Sequence, residues 1–296
     1  MALMLSAASR ESLAAASDRL DALVDASSGS DLAQLGDDLY AVLRLLSNEI
    51  SLRRHLADPA IAESSRTGLA GQLLRDKIGR DALDVVSELV GARWSRSVDL
   101  VAALEELARR AVLGVAEKGG TGLVQQLRQT IPIAALQPDS TLDDVEDELF
   151  RFGRILDREP RLGSLLADQS APADKRVGLL REVLGGRVSP VTETLLEQTV
   201  RTPRSGNLER AAEELSELAA ARRDRYVAHV RTAVRLSPDQ EHRLAGTLNR
   251  LYGRPISLQI ELDPDLLGGL VVRIGGELID GSVSSKLAAA RRTLSG

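Results

Sequence analysis

Gly268, Gly269, Gly275, Gly276 and Gly281 are the first residues with a chemical reading, because N–H groups of glycine-rich turns can cradle phosphate. A Walker loop needs a lysine and a Ser or Thr directly after its last glycine, and a dinucleotide loop needs G-x-G-x-x-G opening a helix. Neither spacing occurs. The five glycines are therefore expected to serve the backbone, at a close approach, a hairpin turn and a strand-to-helix turn. His55, His229 and His242 have no second histidine at helical ligand spacing, so a metal site would need distant carboxylates to converge. The chain has no cysteine, which excludes disulfides, thiolate metal sites and cysteine nucleophiles. No G-x-S-x-G elbow offers a nucleophilic serine. Acidic runs at Asp143-Asp144 and Glu146-Asp147-Glu148 read as a helix start and a solvated face. Arg201, Arg204, Arg210, Arg222, Arg223 and Arg225 have two readings, a salt-bridging face or a docking surface for an acidic partner. The residues thus predict no catalytic group, no cofactor and no metal.

The elements that carry these residues must come from 296 residues, enough for about two domains. Aromatics are only 2% of the chain, so its cores must be built from Leu, Val, Ile and Ala, which suits helix packing. The net charge of −5 is spread over both signs, and no basic cluster with stacking aromatics marks a nucleic-acid site. No apolar run approaches the roughly 18 residues of a membrane span. Met1 to Ser6 lacks the basic n-region of a secretory signal. The expectation is a cytoplasmic chain whose membrane association comes through a partner.

The first two-thirds has helical periodicity. Leu32, Leu35, Leu39, Val42, Leu46 and Ile50 fall at alternating three- and four-residue steps, an apolar stripe with charges opposite. Leu142, Val145, Leu149, Phe152 and Leu156 repeat the pattern 110 residues later. Charged positions recur too: Asp37 as Asp147, Arg44 as Arg154, Glu49 as Glu159, Arg66 as Arg176. Leu56-Ala57-Asp58 returns as Leu166-Ala167-Asp168. Coincident periodicity explains leucines but not matched charges, so the helical region reads as an internal duplication. The expected division is a helical bundle over 1–118, a linker over 119–140 with a short helix near Leu123 to Arg128, a second bundle over 141–226, and an α+β domain over 227–296. Thr141 is expected to cap the first helix of the second copy.

In the tail the period falls to two. Val230, Thr232, Val234 and Leu236 alternate with His229, Arg231 and Arg235 as a strand. Ser237-Pro238-Asp239-Gln240 opens a helix ending near Gly253. Ile256 to Leu262 is a second strand, Leu270 to Ile274 a third, Glu277 to Ile279 a short fourth, and Val283 to Leu294 a last helix. The fold class expected is mainly α, two helical-bundle repeats followed by a small α+β unit of β-α-β-β-α type on a mixed or antiparallel sheet.

Leu266-Leu267-Gly268-Gly269-Leu270-Val271-Val272-Arg273-Ile274-Gly275-Gly276, followed by Leu278-Ile279-Asp280-Gly281-Ser282-Val283, resembles the C-terminal signature of the delta subunit of the F-type ATP synthase. The mitochondrial relative is the oligomycin-sensitivity-conferring protein. The resemblance runs from about Thr141 to the end, and the first copy resembles the same helical region again. It makes Gly268, Gly269, Arg273, Gly275, Gly276, Asp280, Gly281 and Ser282 signature residues of structural importance. It implies a non-catalytic stator of the peripheral stalk, at the cytoplasmic face of the cell membrane. By it, the helical domain grips N-terminal helices of alpha subunits of the catalytic head, and the C-terminal region joins the b and b′ stalk subunits. The grip would use grooves for amphipathic helices, with Leu149, Phe152, Leu156, Arg222 and Arg223 as candidate contacts. Typical members have a single helical domain, which leaves open which copy does the usual work. Two other readings are a generic helical scaffold and a small-ligand enzyme built on the α+β tail.

Overall fold

The computed structural model describes residues 6–119, 141–203, 207–224, 227–252, 256–263, 266, 268–274 and 277–282. The expected helices near Leu123 and from Val283, the Gly275-Gly276 turn and the helix stop at Gly253 lie outside these residues. The chain divides into two compact units, 1–219 and 220–296.

The first unit is helical. Repeat one contains α1 (Ala7–Ala26), α2 (Gly29–Asn48), α3 (Ile50–Ala57), α4 (Glu63–Leu74), α5 (Arg80–Gly91) and α6 (Ser97–Gly119). Repeat two contains α7 (Leu142–Arg158), α8 (Pro160–Ala167), α9 (Ala173–Leu184), α10 (Pro190–Arg201) and α11 (Leu208–Asp224). Local chemistry sets the helix starts. Ser28 and Asp31 form a capping box before α2, and Thr141 and Asp144 form one before α7, each satisfying otherwise orphaned N–H groups. The apolar stripe of α7, Leu142, Val145, Leu149, Phe152 and Leu156, is entirely buried. Each such side chain contributes about 1.5–3 kcal/mol on leaving water. In repeat one, α2 lies close along α6 because Gly36 has no side chain. A Cβ there would come within 2.6 Å of Val112 Cγ2.

Matching hydrogen bonds recur along the first unit at a fixed offset of 110 residues. Arg66, buried, donates from Nη1 to the carbonyl oxygens of Leu56 (3.3 Å) and Val90 (2.5 Å). Arg176, also buried, donates from Nη1 to those of Leu166 (3.2 Å) and Val200, every partner shifted by the same 110 positions. Asp38 accepts from Gly79 N at 2.7 Å, and Glu148 accepts from Ser189 N at 3.0 Å, again 110 apart. The last helix of each repeat matches at 108. Leu100, Ala103, Leu104, Leu107 and Ala111 of α6 correspond to Leu208, Ala211, Ala212, Leu215 and Ala219 of α11, all buried. The stretch between the matched positions of the last two helices is therefore two residues shorter in repeat two than in repeat one. One continuous apolar cluster contains the buried residues of both repeats.

The second unit carries β1 (Val227–Thr232), α12 (Pro238–Tyr252), β2 (Ser257–Leu262), β3 (Leu270–Ile274) and β4 (Glu277–Asp280). Strand order is β2-β1-β3-β4, with β1 and β2 parallel and the other pairs antiparallel. A parallel pair needs a crossover, which α12 supplies. Ala228, Val230, Leu248, Ile256, Val272 and Ile274 form its core. One expectation fails here: β1 was to run on to Leu236 but stops at Thr232. The Thr232 hydroxyl donates to the Val234 carbonyl at 2.9 Å, and Val234 is 70% exposed. This side-chain bond competes with continued pairing.

Candidate docking surfaces

The candidate histidines and acidic runs all lie within the described residues. No group of three His, Cys, Asp or Glu side chains among them could hold a metal. His55 and His242 are exposed, and His229 is half-buried on β1 opposite Arg273. What the fold presents instead is surface.

Leu149, Phe152 and Leu156 all point into the core of the first unit. Only Leu149 also reaches a surface groove, between α7 and α11, of about 460 Å³. Its lining includes Phe150, Gly153, Arg154, Asp157, Glu209, Glu213 and Glu217. Phe150 was not singled out by periodicity because it falls off the apolar stripe, and that position is what exposes it. The signal available was a large aromatic on the polar side of a strongly amphipathic helix. Arg222 and Arg223 occupy the last turn of α11, where positive charge complements the helix dipole. Arg222 is buried and Arg223 half-buried.

In the tail, Gly268, Gly269, Asp280, Gly281 and Ser282 gather where the start of β3 lies beside the end of β4. Gly268 and Gly269 have φ of 139° and 80°, a region that L side chains disfavour, so glycine is needed before β3. Gly281 N donates to the Leu270 carbonyl at 3.0 Å, and a Cβ on Gly281 would sit 3.1 Å from that oxygen. Asp280 Oδ1 accepts from Ser282 N at 2.9 Å. Hydrogen bonds from Ser282 hold the Asp280 carboxyl below the usual carboxylate range, with Arg231 adding to the effect. Arg273 is exposed on β3, paired across the strands with His229 and Leu278. Gly275 and Gly276 lie outside the described residues.

Residues 133–294, repeat two with the tail, match the ATP synthase delta (OSCP) subunit family model. The chain belongs to the ATP synthase delta (OSCP) subunit family. Full-length relatives agree. It is 46% identical to the ATP synthase subunit delta of Streptomyces griseus over 99% of this chain and 100% of that one. It is 47% identical to that of Streptomyces avermitilis over 97% of each. It is 43% identical to ATP synthase subunit b-delta of Mycobacterium sp. (strain KMS), over 97% of this chain and 60% of the relative. As a delta (OSCP) family member, the chain is a non-catalytic, peripheral-stalk subunit of the ATP synthase complex. No helix among its described residues is long and apolar enough to cross a membrane.

Proposed function

We propose that this subunit ties the alpha subunits of the catalytic head to the b and b′ subunits of the stalk, at the cytoplasmic face of the cell membrane. Rotation driven by protons is then resisted by the stalk and coupled to ATP synthesis. In this reading repeat two, 141–226, grips N-terminal helices of alpha subunits. The tail, 227–296, joins the b stalk, and repeat one, 1–118, is an added brace beyond the linker over 119–140. The observation that carries it is the span of the family match: 133–294 takes in repeat two and the tail and leaves repeat one outside. Chain order supports it as well, since repeat two directly precedes the sheet. Leu149, Phe152 and Leu156 enter this reading by holding α7 in place, because their side chains are buried. Arg222 and Arg223 enter it at the end of α11 next to the tail.

A peptide of the alpha N-terminal segment, carrying a photo-crosslinker, tests the assignment on the full chain. Crosslinks are expected within 141–224. Crosslinks confined to 6–119 would exchange the roles of the two repeats.

A further inference from the structure

Both repeats have a face formed by the first helix of their matched set and the last helix of the bundle. In repeat one this is α2 with α6, carrying Tyr40, Leu43, Arg44, Glu105 and Arg109. That face is occupied by repeat two. Helix α6 packs against α7 and α10, and Arg44 Nη1 donates to Gln198 Oε1 at 3.0 Å. Arg109 feels the charge of Glu214 on α11. Tyr40 and Leu43 are 3% and 1% exposed. Glu105 and Arg109 pair at 2.6 Å, so this covered face is balanced in charge.

The corresponding face of repeat two, α7 with α11, is the groove. Phe150 stands at the position of Tyr40 and is 59% exposed. Gly153 stands at the position of Leu43. A Cβ there would meet only Ala212 Cβ, at 3.9 Å, so the trough exists because the leucine side chain is missing. Glu217 stands at the position of Arg109, reversing the charge. Glu209 replaces Val101, Asp157 replaces Ser47, and Glu213 keeps the acid of Glu105. Four carboxylates thus surround an apolar floor, against the single guanidinium of Arg154.

We propose that the groove between α7 and α11 docks a basic amphipathic helix of a partner subunit. Its apolar stripe would lie on Leu149, Phe150 and the trough at Gly153. Its lysines or arginines, at i and i+4, would face Glu209, Glu213 and Glu217, which recur about every 6 Å along α11. The same kind of face already binds helices inside this chain, which is why the occupant is a helix. The substitutions Leu43 to Gly153 and Arg109 to Glu217 are why it is a basic one. A second copy of the chain does not fit. The surface that covers this face in repeat one belongs to α7 and α10, and in any copy it is occupied by that copy's own repeat one. Docking in this groove rests on the proposed grip of repeat two on partner helices and names where and with what charge such a helix would lie; synthetic peptides test it without any head or stalk subunit, so either can fail alone.

The test uses the full chain and two synthetic 18-residue helical peptides with one leucine stripe, one lysine-rich and one glutamate-rich, titrated by calorimetry. The lysine peptide should bind one per chain and the glutamate peptide should not. Glu213→Lys with Glu217→Lys, both exposed positions, should weaken the lysine peptide at least about ten-fold and admit the glutamate peptide. Gly153→Leu, which restores the residue of repeat one, should block the lysine peptide while leaving the circular dichroism spectrum unchanged. Equal binding of both peptides, lysine-peptide binding indifferent to both variants, or self-association through this face that the peptide does not compete with, would overturn the proposal.

Discussion

Arg66 and Arg176 occupy the same buried place in successive bundles, each with its guanidinium turned onto main-chain carbonyls at the ends of neighbouring helices. Arg66 reaches Leu56, Val90, Gly91 and Ala92, and Arg176 reaches Leu166, Ala171 and Val200. Apart from Ala171, in the turn before α9, these carbonyls close α3 and α5 in one repeat and α8 and α10 in the other, where helix ends leave acceptors without intrahelical donors. The planar fork of arginine can serve several of them at once. Arg66→Met and Arg176→Met should each cost about 3 kcal/mol, because buried acceptors lose a charged donor. Lysine should restore less than half. Urea unfolding followed by circular dichroism measures both effects, and a loss below about 0.5 kcal/mol would mean water replaces the arginine.

Neighbouring positions on α7 should behave oppositely. Phe152 is buried and Phe150 exposed. Phe152→Ala should cost about 3–5 kcal/mol, and Phe150→Ala should change stability by no more than about 0.5 kcal/mol. Thermal unfolding of the two variants separates core from surface on one helix.

Tyr40 predicts an alkaline limit to stability. Burial pushes its phenol well above the ordinary value, with Glu105 and Glu106 adding to the rise and Arg109 opposing it. The folded chain therefore favours the neutral phenol. That contribution is complete below the unfolded value, about 10, and is lost progressively as pH rises beyond it toward the folded value. Wild-type unfolding free energy should fall between about pH 9.5 and 11.5, and Tyr40→Phe should flatten much of that fall. Denaturant midpoints at four pH values decide it. An identical fall in both proteins would assign the effect elsewhere.

The tail should be sensitive to backbone geometry. Gly269→Val places a branched residue at φ of 80°, a strain of about 1–3 kcal/mol. It should lower both the stability of the sheet and capture of the b subunit by the full chain. Undiminished b capture by a chain truncated at Arg225 would remove the stalk-binding role from the tail.

Much of this was legible from residue spacing, and the exceptions have physical causes. The stripes of α2 and α7, the Thr141 cap and the order of elements in the tail follow from period and local capping chemistry. The recurrence of Arg66 as Arg176 was legible as a pattern, but its purpose was not, since the carbonyls it binds lie as far as 26 residues away in sequence. Asp38 and Glu148 do the same work with different side chains, so simple identity missed them. The reach of β1 was overestimated because Val234 continued the alternation, while the Thr232 hydroxyl ended the strand. The groove was hidden for another reason. It depends on the absence of a side chain at Gly153, and it emerges only when α11 is aligned with α6 at 108 rather than 110.

Mechanical coupling of head to stalk, with no chemistry of its own, is the role proposed for this subunit. The most direct measurement uses membrane vesicles carrying the complex and depleted of this chain, with ATP hydrolysis and ATP-driven proton uptake followed together. Adding the chain should restore proton uptake to the level of untreated vesicles, while the isolated chain hydrolyses no ATP. Full proton uptake by depleted vesicles without the chain, or ATP hydrolysis by the chain alone, would contradict the account.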